Sequence, residues 1–314
     1  MNVIAGVDTN SDALKTFSNN FPGAVPIKAT INGKRAVEGC ESAVRTHARS
    51  KAPLLVLSGP PCQGFSAAGS RDPSDKRNKV LLGVARAIKV LQPRCALVEN
   101  VPELLTDKHR KRVRDFESHV SGAGYQLLAI ELDAKDYDVP QRRRRAFFLI
   151  TRRRLKEASV LQRFAILQSA EVPCGNRLED LPPAEVRGSA YRDDGDLCSA
   201  SPNHLAMRHS QSVQAKIAAI PVGRGPMSYR KLDPTKPANT LFSGHRAPPA
   251  HYKYPRSITV REAARLQGFP DDFRIYGSFG NQMGQVTNAV PPPLARAVLT
   301  VLAEFTGLAH SCDG

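Results

Sequence analysis

The sequence contains no tryptophan, few other aromatic residues and no long apolar run. Tyr and Phe number only 7 and 12 in 314 residues, and the six cysteines are scattered without a CxxC pair. No run approaches the roughly 18 apolar residues that a membrane-spanning helix needs. No apolar signal segment opens the chain, so we expect a cytoplasmic protein without a membrane span. One group of potential zinc ligands, Cys174, Cys198, His204 and His209, lacks any usual ligand spacing, so unligated thiols are expected.

Acidic residues are too few to balance the basic ones. The chain has 45 Lys and Arg against 29 Asp and Glu, which gives a net charge of +16. An excess of this size favours a polyanionic partner, because neutralising phosphates releases their counterions. Nucleic acid is therefore the first partner to consider, although a solvated basic face would give the same count.

Residues 1–150 alternate short apolar runs with helical patterns, which is typical of an α/β protein. Strands are predicted at 3–7, 54–57, 96–98, 127–132 and 146–150, and helices at 12–20, 78–92 and 108–121. Thr106 or Asp107 is predicted to cap the last of these helices. Its basic face carries Lys108, Arg110, Lys111, Arg112 and Arg114.

Regular patterns fade after about residue 152 into a segment rich in Pro, Gly and Arg that reaches about residue 255. This change indicates a small, irregular second domain. Regularity returns at 259–267, where Thr259 followed by Glu262 makes a capping-box pattern. A last helix is predicted at 293–305.

The most specific feature is the loop SGPPCQGFS at 58–66, directly after the predicted strand 54–57. Ligands bind just beyond the carboxyl ends of strands in an open parallel sheet, so Cys62 lies where reactions occur. Two prolines before the thiol and a glycine after it make a rigid loop that fixes the sulfur. The alternative is a buried, inert cysteine, since free Cys is among the most buried residue types. The loop context favours a nucleophile.

Two further polar segments adjoin predicted strands. Glu99, in ENV at 99–101, follows the strand 96–98, so its carboxylate can face the same crevice as Cys62; a helix-capping or salt-bridged acid fits this placement equally well. The segment QRRRR at 141–145 leads into the strand 146–150. Alternation along an extended segment gives it two faces. One face carries Gln141, Arg143 and Arg145, and the other carries Arg142 and Arg144.

These segments resemble the successive motif blocks of the bacterial cytosine-5 DNA methyltransferases. The matching blocks are SGPPCQGFS at 58–66, ENV at 99–101, QRRRR at 141–145, RSITVREAARLQGFPDDF at 256–273 and NAVPPPLA at 288–295. Five blocks in the family's order are far more specific than any one of them. The resemblance implies an α/β fold, a Rossmann-like S-adenosylmethionine-dependent methyltransferase sheet with a small irregular target-recognition domain. Residues 1–151 plus 281–314 would form the catalytic domain, and 152–280 the target-recognition domain.

The resemblance also implies a mechanism and a set of site residues. Cys62 would attack carbon 6 of cytosine, and Glu99, protonated or sharing a proton, would bind ring nitrogen 3 and the exocyclic amine. Arg143 and Arg145 would hold the base's O2 and lower the thiol's pKa, and Gln141 belongs to the same catalytic set. The base would be flipped out of double-stranded DNA, and the loop 63–70 would close on it. S-adenosylmethionine is expected to contact Asp8, Pro60, Val80, Asn288 and Val290.

One element of the family pattern is absent. The family's chains open with a strand and a Phe-x-Gly-x-Gly turn that binds the methionine end of the cofactor, whereas MNVIAGVD at 1–8 resembles the family's second strand. The usual ribose-binding acid falls on Gly6, which leaves Asp8 as a substitute, and the acid expected near the adenine falls on Thr30. The usual Gly-Asn-Ala-Val reads TNAV at 287–290. Because the first strand is central in a doubly wound sheet, its loss predicts two unpaired edges.

Several explanations and functions stay open. The missing strand could reflect a start assigned too far downstream, a second polypeptide that supplies it, or a decayed copy. The main expectation is an enzyme of bacterial restriction-modification type that methylates cytosine in a specific duplex sequence. The alternatives are a catalytically silent DNA-binding remnant, a subunit of a split methyltransferase, or a tRNA methyltransferase of the same family, which the CQGFS loop disfavours. Binding of S-adenosylmethionine separates an enzyme from a silent remnant.

Overall fold

The computed structural model describes residues 2–47, 54–61, 80–187, 192–193, 201–226, 229–242 and 248–308. The strands are β1 (Ala5–Asp8), β2 (Val25–Lys28), β3 (Leu55–Ser58), β4 (Cys95–Asn100), β5 (Gln126–Asp133), β6 (Arg144–Thr151), β7 (Glu185–Arg187), β8 (Arg192–Asp193), β9 (Leu205–Met207) and β10 (Gly277–Ser278). The helices are α1 (Ser11–Asn20), α2 (Lys34–His47), α3 (Val80–Leu91), α4 (Arg110–Ser121), α5 (Glu157–Ile166), α6 (Gln211–Ala219), α7 (Val260–Leu266), α8 (Phe279–Asn288) and α9 (Pro292–Thr306). The alternation of strands and helices confirms the predicted α/β class.

The strands of the first half form two sheets. β1 pairs with β2 in parallel, and β3, β4, β6 and β5 form a second sheet in that order. β3 runs parallel to β4, whereas β6 runs antiparallel to both β4 and β5. The carboxyl ends of β3 and β4 and the start of β6 therefore lie at one edge of this sheet, which we call the carboxyl edge.

One edge of β1 and one edge of β3 carry no strand within the described part of the chain. Neither strand contains a buried residue, whereas β4, which has neighbours on both sides, is buried throughout. Leu57 on β3 is 56% exposed although it is a large apolar residue. The prediction of two unpaired sheet edges is thus confirmed for the described residues.

Side chains on the two faces of β6 pack into separate cores. Phe147 and Leu149 point toward α5 and α9, and Phe148 and Ile150 point toward α3 and α4, because successive strand residues face opposite ways. All four are fully buried, and each contributes about 1.5–3 kcal/mol by leaving water. Helices on both faces therefore hold β4 and β6 rigidly and fix the carboxyl edge.

The region between β6 and α8 is less regular. Its strands β7, β8 and β9 have two or three residues each, and its core gathers around α7. The predicted capping box is confirmed: the Thr259 side chain accepts from the Glu262 backbone N–H, and the Glu262 side chain accepts from that of Thr259. The boundaries between the two proposed domains stay predictions.

Some elements differ from the sequence-based expectations. Sequence patterns did not predict β2, α2, α5, α6 or α8. The predicted cap of α4 is wrong, because α4 begins at Arg110, after His109, and no side chain caps it. The Thr106 hydroxyl instead donates to the Glu103 carbonyl. Within the described ranges, no helix is both long and apolar enough to cross a membrane.

Candidate active site

Glu99 lies at the carboxyl edge, near the end of β4. The neighbouring Asn100 donates from Nδ2 to the Pro60 carbonyl at 3.2 Å, which ties the loop after β3 to the end of β4. A Cβ atom on Gly59 would lie only 3.3 Å from Glu99 Oε2. Glycine at this position therefore lets the loop approach the carboxylate closely, and the start of the SGPPC segment lies beside Glu99.

Cys62 and the loop 63–70 lie outside the described residues. The described part of this loop ends at Pro61, which is exposed and follows the buried Pro60. The nucleophilic role of Cys62 stays a prediction. It rests on chain position, because the segment that leads to Cys62 passes the Glu99 carboxylate at Gly59.

Glu99 and Arg145 form a nearly buried ion pair. Phe147 lies opposite Glu99 in the β4–β6 register, so Arg145, two residues earlier, is on the same face of the sheet. Arg145 Nε lies 2.8 Å from Glu99 Oε1, and the two side chains are 12% and 11% exposed. Burial raises the pKa of Glu99, and the Arg145 and Arg143 cations oppose that rise. A carboxyl group in this setting is suited to holding or sharing a proton.

Gln141 joins the start of β6 to the irregular region. It is fully buried, and its Nε2 donates to the Leu266 carbonyl and to Gln267 Oε1, both at 3.1 Å. Its Oε1 accepts from the Leu241 backbone N–H at 3.1 Å. All these partners belong to the protein, so the side chain connects three segments that are far apart in sequence.

Arg143 is a second buried connector. It is 1% exposed, and its Nη2 donates to the Thr287 and Ala289 carbonyls at 2.6 and 3.2 Å. Its Nη1 reaches the Leu241 carbonyl at 3.4 Å. The guanidinium thus holds the last turn of α8 and the residue that follows it, and its charge acts on Glu99 through space.

The alternation predicted for 141–145 is confirmed. Gln141 and Arg143 are buried and Arg145 is largely buried, whereas Arg142 and Arg144 are exposed. The inward face meets the protein and Glu99, and the outward face meets solvent.

The five residues expected to contact the cofactor lie on separate elements. Asp8 ends β1 and is exposed, Pro60 follows β3, and Val80 begins α3. Asn288 ends α8, and Val290 packs against the core beneath α9. Their roles in binding S-adenosylmethionine stay predictions.

The loop after β2 holds a polar group that sequence reasoning missed. Asn32 Oδ1 is buried and has no hydrogen-bond partner among the described residues. A buried acceptor without a donor is unfavourable. A Cβ atom on Gly83 would clash with this oxygen, so Asn32 Oδ1 packs closely against α3 at that glycine. The position of Asn32 in a loop just after a strand is the only sequence signal that marks it.

Comparisons with known proteins agree with this architecture. The chain matches the family model described as C-5 cytosine-specific DNA methylase over residues 1–304. Type II methyltransferase M.DdeI of Desulfomicrobium norvegicum is 32% identical over 295 residues, which covers 77% of this chain and 71% of the relative. Type II methyltransferase M.XorII of Xanthomonas oryzae pv. oryzae is 31% identical, covering 78% and 66%. The matches thus span about two thirds to seven tenths of these relatives.

A solved structure shows the same fold. It is named for a DNA modification methyltransferase encoded within a prophage of E. coli, and it matches with a TM-score of 0.76 at 24% identity. The match covers 98% of this chain and 93% of that one. The family match extends over nearly the whole chain, including all the described site residues. The chain therefore belongs to the C-5 cytosine-specific DNA methylase family, the DNA (cytosine-5)-methyltransferases that take their methyl group from S-adenosylmethionine.

Proposed function

We propose that this chain methylates carbon 5 of cytosine in a specific sequence of double-stranded DNA, through a covalent adduct with Cys62 on a flipped-out base. One observation carries the proposal: the Glu99–Arg145 pair is nearly buried at the carboxyl edge, beside the loop that leads to Cys62. A buried acid whose pKa is raised can hold the proton that a cytosine ring nitrogen needs during attack.

Each of these residues has its own chemical role in the proposed reaction. The Cys62 thiolate bonds to carbon 6, and the electron pair of the ring's 5,6 double bond becomes available at carbon 5. Glu99 holds a proton at ring nitrogen 3 and so stabilises the charge that attack places there. Bound S-adenosylmethionine supplies the methyl group to carbon 5. Loss of the carbon-5 proton and expulsion of the sulfur then restore the double bond and free Cys62.

Arg145, Arg143 and Gln141 position the site in this proposal. Arg145 fixes the Glu99 carboxylate through the 2.8 Å contact, and in this proposal it also holds the base's O2. Arg143 and Gln141 act through the protein, since their described partners are backbone and side-chain groups of other segments. They hold the catalytic domain, residues 1–151 plus 281–314, against the target-recognition domain, 152–280.

The cofactor lies across the carboxyl ends of β1 and β3 in this proposal. Asp8 binds the ribose, and Pro60 lies against the methyl donor. Val80, Asn288 and Val290 complete the pocket. The support is the placement of these residues at strand and helix ends.

The open edges of β1 and β3 can accept a further parallel strand between them, from a longer form of this chain or from a second polypeptide. The support is the open edge on each strand and the exposure of Leu57. An unpaired strand edge can form backbone hydrogen bonds with an added strand. Such a strand would also line one side of the cofactor pocket.

Covalent trapping tests the proposal. Incubating the protein and S-adenosylmethionine with duplex DNA in which cytosine is replaced by 5-fluorocytosine should give a complex that survives denaturation, because the fluorine cannot leave as a proton does. Cys62→Ser should abolish the band, and Cys40→Ser, at a free cysteine on α2, should retain it. A band that persists in Cys62→Ser would rule out this nucleophile, and no band with the unaltered chain would contradict the proposed activity.

A further inference from the structure

The start of α4 carries a dense cluster of positive charge that the proposed chemistry does not use. Five of the seven residues at 108–114 are cationic. We call the set the basic α4 surface: Lys108, Arg110, Lys111, Arg112 and Arg114. It is the basic face noted in the sequence.

The basic cluster does not stabilise helix α4. Cations near a helix N-terminus oppose the helix dipole, which favours acidic groups there. α4 has no acidic residue in its first turn, and no side chain caps it. Phe116 and Val120, both fully buried, hold the helix against the sheet instead. The positive charges therefore destabilise the start of α4, so helix stability does not explain why they lie there.

Most of these cations lack a neutralising partner. Lys108, Lys111 and Arg114 are exposed, and they make no hydrogen bond or ion pair with the described residues. Arg110 Nε lies 3.4 Å from Asp107 Oδ1, and those side chains are 68% and 90% exposed. An exposed pair of this kind is weak and screened by salt.

Arg112 is held in place without losing its charge. His109 is 4% exposed, and its Nδ1 lies 2.7 Å from Arg112 Nη1. Burial lowers the pKa of His109, and the cations Arg112 and Lys108 lower it further. The imidazole is therefore neutral near pH 7, and it accepts a hydrogen bond from the guanidinium.

The surface lies at the carboxyl edge, as Glu99 does. β4 ends there, and only two short turns, Pro102–Leu105 and Asp107–His109, separate it from α4. α4 then runs back toward the opposite edge, because β5 begins there, with Gln126 paired to Thr151 at the end of β6. The positive end of α4 thus flanks the site that would receive the base.

We propose that the basic α4 surface binds the phosphate backbone of the duplex beside the target cytosine, an inference that rests on the proposed function. Lys111 and Arg114 share one stripe of α4, about 4.5 Å apart along its axis, and Lys108 precedes them in the turn Asp107–His109. Long side chains on such a stripe reach neighbouring phosphates of one strand. Contacts of this kind position a protein on DNA without reading its sequence.

The test is the salt dependence of DNA affinity, measured by fluorescence anisotropy on a duplex without 5-fluorocytosine. The α4 variant carries Lys108→Gln, Lys111→Gln and Arg114→Gln. A matched control carries Arg153→Gln, Arg154→Gln and Lys156→Gln, which removes the same charge from exposed residues just beyond β6, at the opposite edge. Each lost phosphate contact should reduce the slope of log affinity against log salt by about 0.9.

We expect the slope of log affinity against log salt to become shallower by about 2–3 in the α4 variant and by less than about 1 in the control. Equal losses in both variants would show that only net charge matters, and an unchanged α4 variant would show that α4 does not contact DNA; either result overturns the inference. The melting temperature of the α4 variant should be equal to or above that of the unaltered chain, since the removed charges oppose the helix dipole. Trapping by the unaltered chain tests the chemistry separately, so its failure would leave the α4 result interpretable.

Discussion

Replacing Arg145 with methionine leaves the buried Glu99 carboxylate without its ion-pair partner. Both side chains are nearly buried, at 12% and 11% exposure. Removing one partner of a buried pair typically costs about 3–5 kcal/mol, because the remaining charge is left uncompensated. Glu99 can escape part of this cost by taking up a proton. Burial already raises its pKa in the folded state, and losing the opposing Arg145 cation should raise that pKa further.

The cost of Arg145→Met should therefore depend on pH. Below the unfolded pKa of about 4.5, Glu99 is protonated in both states and the cost should be small. Above the pH at which Glu99 ionises in the unaltered folded chain, only the folded variant still keeps that proton, so the variant loses about 1.4 kcal/mol more per pH unit until its own Glu99 ionises. We expect a destabilisation of about 3 kcal/mol near pH 8 and less than about 1 kcal/mol near pH 4.5.

A double-mutant cycle isolates the pair. Urea unfolding would be measured for Arg145→Met, Glu99→Gln and the double variant at both pH values. In the Glu99→Gln background no carboxylate is left behind, so Arg145→Met should cost less than about 1 kcal/mol at either pH. Equal costs in both backgrounds and at both pH values would contradict this expectation, since they would mean that Arg145 contributes by packing alone.

Two further predictions concern stability. Burial lowers the pKa of His251 to about 4 from 6.5, so stability should fall as pH drops from 6.5 toward 4, by up to about 3 kcal/mol; His251→Gln should flatten this part of the stability curve, and an unaltered slope would refute the cause. Leu57 is 56% exposed on an open edge, and Leu97 on β4 is 7% exposed. Leu57→Ala should cost below about 1 kcal/mol and Leu97→Ala about 2–5, as measured by urea unfolding, and equal costs would mean that the β3 edge is covered.

Elements with strong local signals could be predicted from the sequence. α3 has a long apolar stripe that stops before Pro93, and α7 begins at a Thr-x-x-Glu capping box, which the structure contains. β2 and α2 lack such signals, because β2 contains a proline and α2 has Gly39 in its interior. A Cβ on Gly39 would lie 3.1 Å from Ile27, so this glycine serves the packing of α2 on β2, which no local pattern reveals.

The candidate site, too, could be predicted from the sequence only in part. The placement of Glu99 at a strand end and the two faces of 141–145 followed from strand periodicity. The partners of Gln141 and Arg143 did not, because Leu241 and Thr287 lie 100 and 144 positions away in the chain. Asn32 was missed because its unpartnered buried oxygen is a property of packing, and Asn residues in loops are ordinarily solvated.

Methylation at carbon 5 can be measured directly by nucleoside mass spectrometry on duplex DNA incubated with the chain and isotopically labelled S-adenosylmethionine. We expect labelled 5-methylcytosine with the unaltered chain and none with Cys62→Ser. Label on the exocyclic nitrogen of cytosine or on adenine, or equal 5-methylcytosine from Cys62→Ser, would contradict the proposed function.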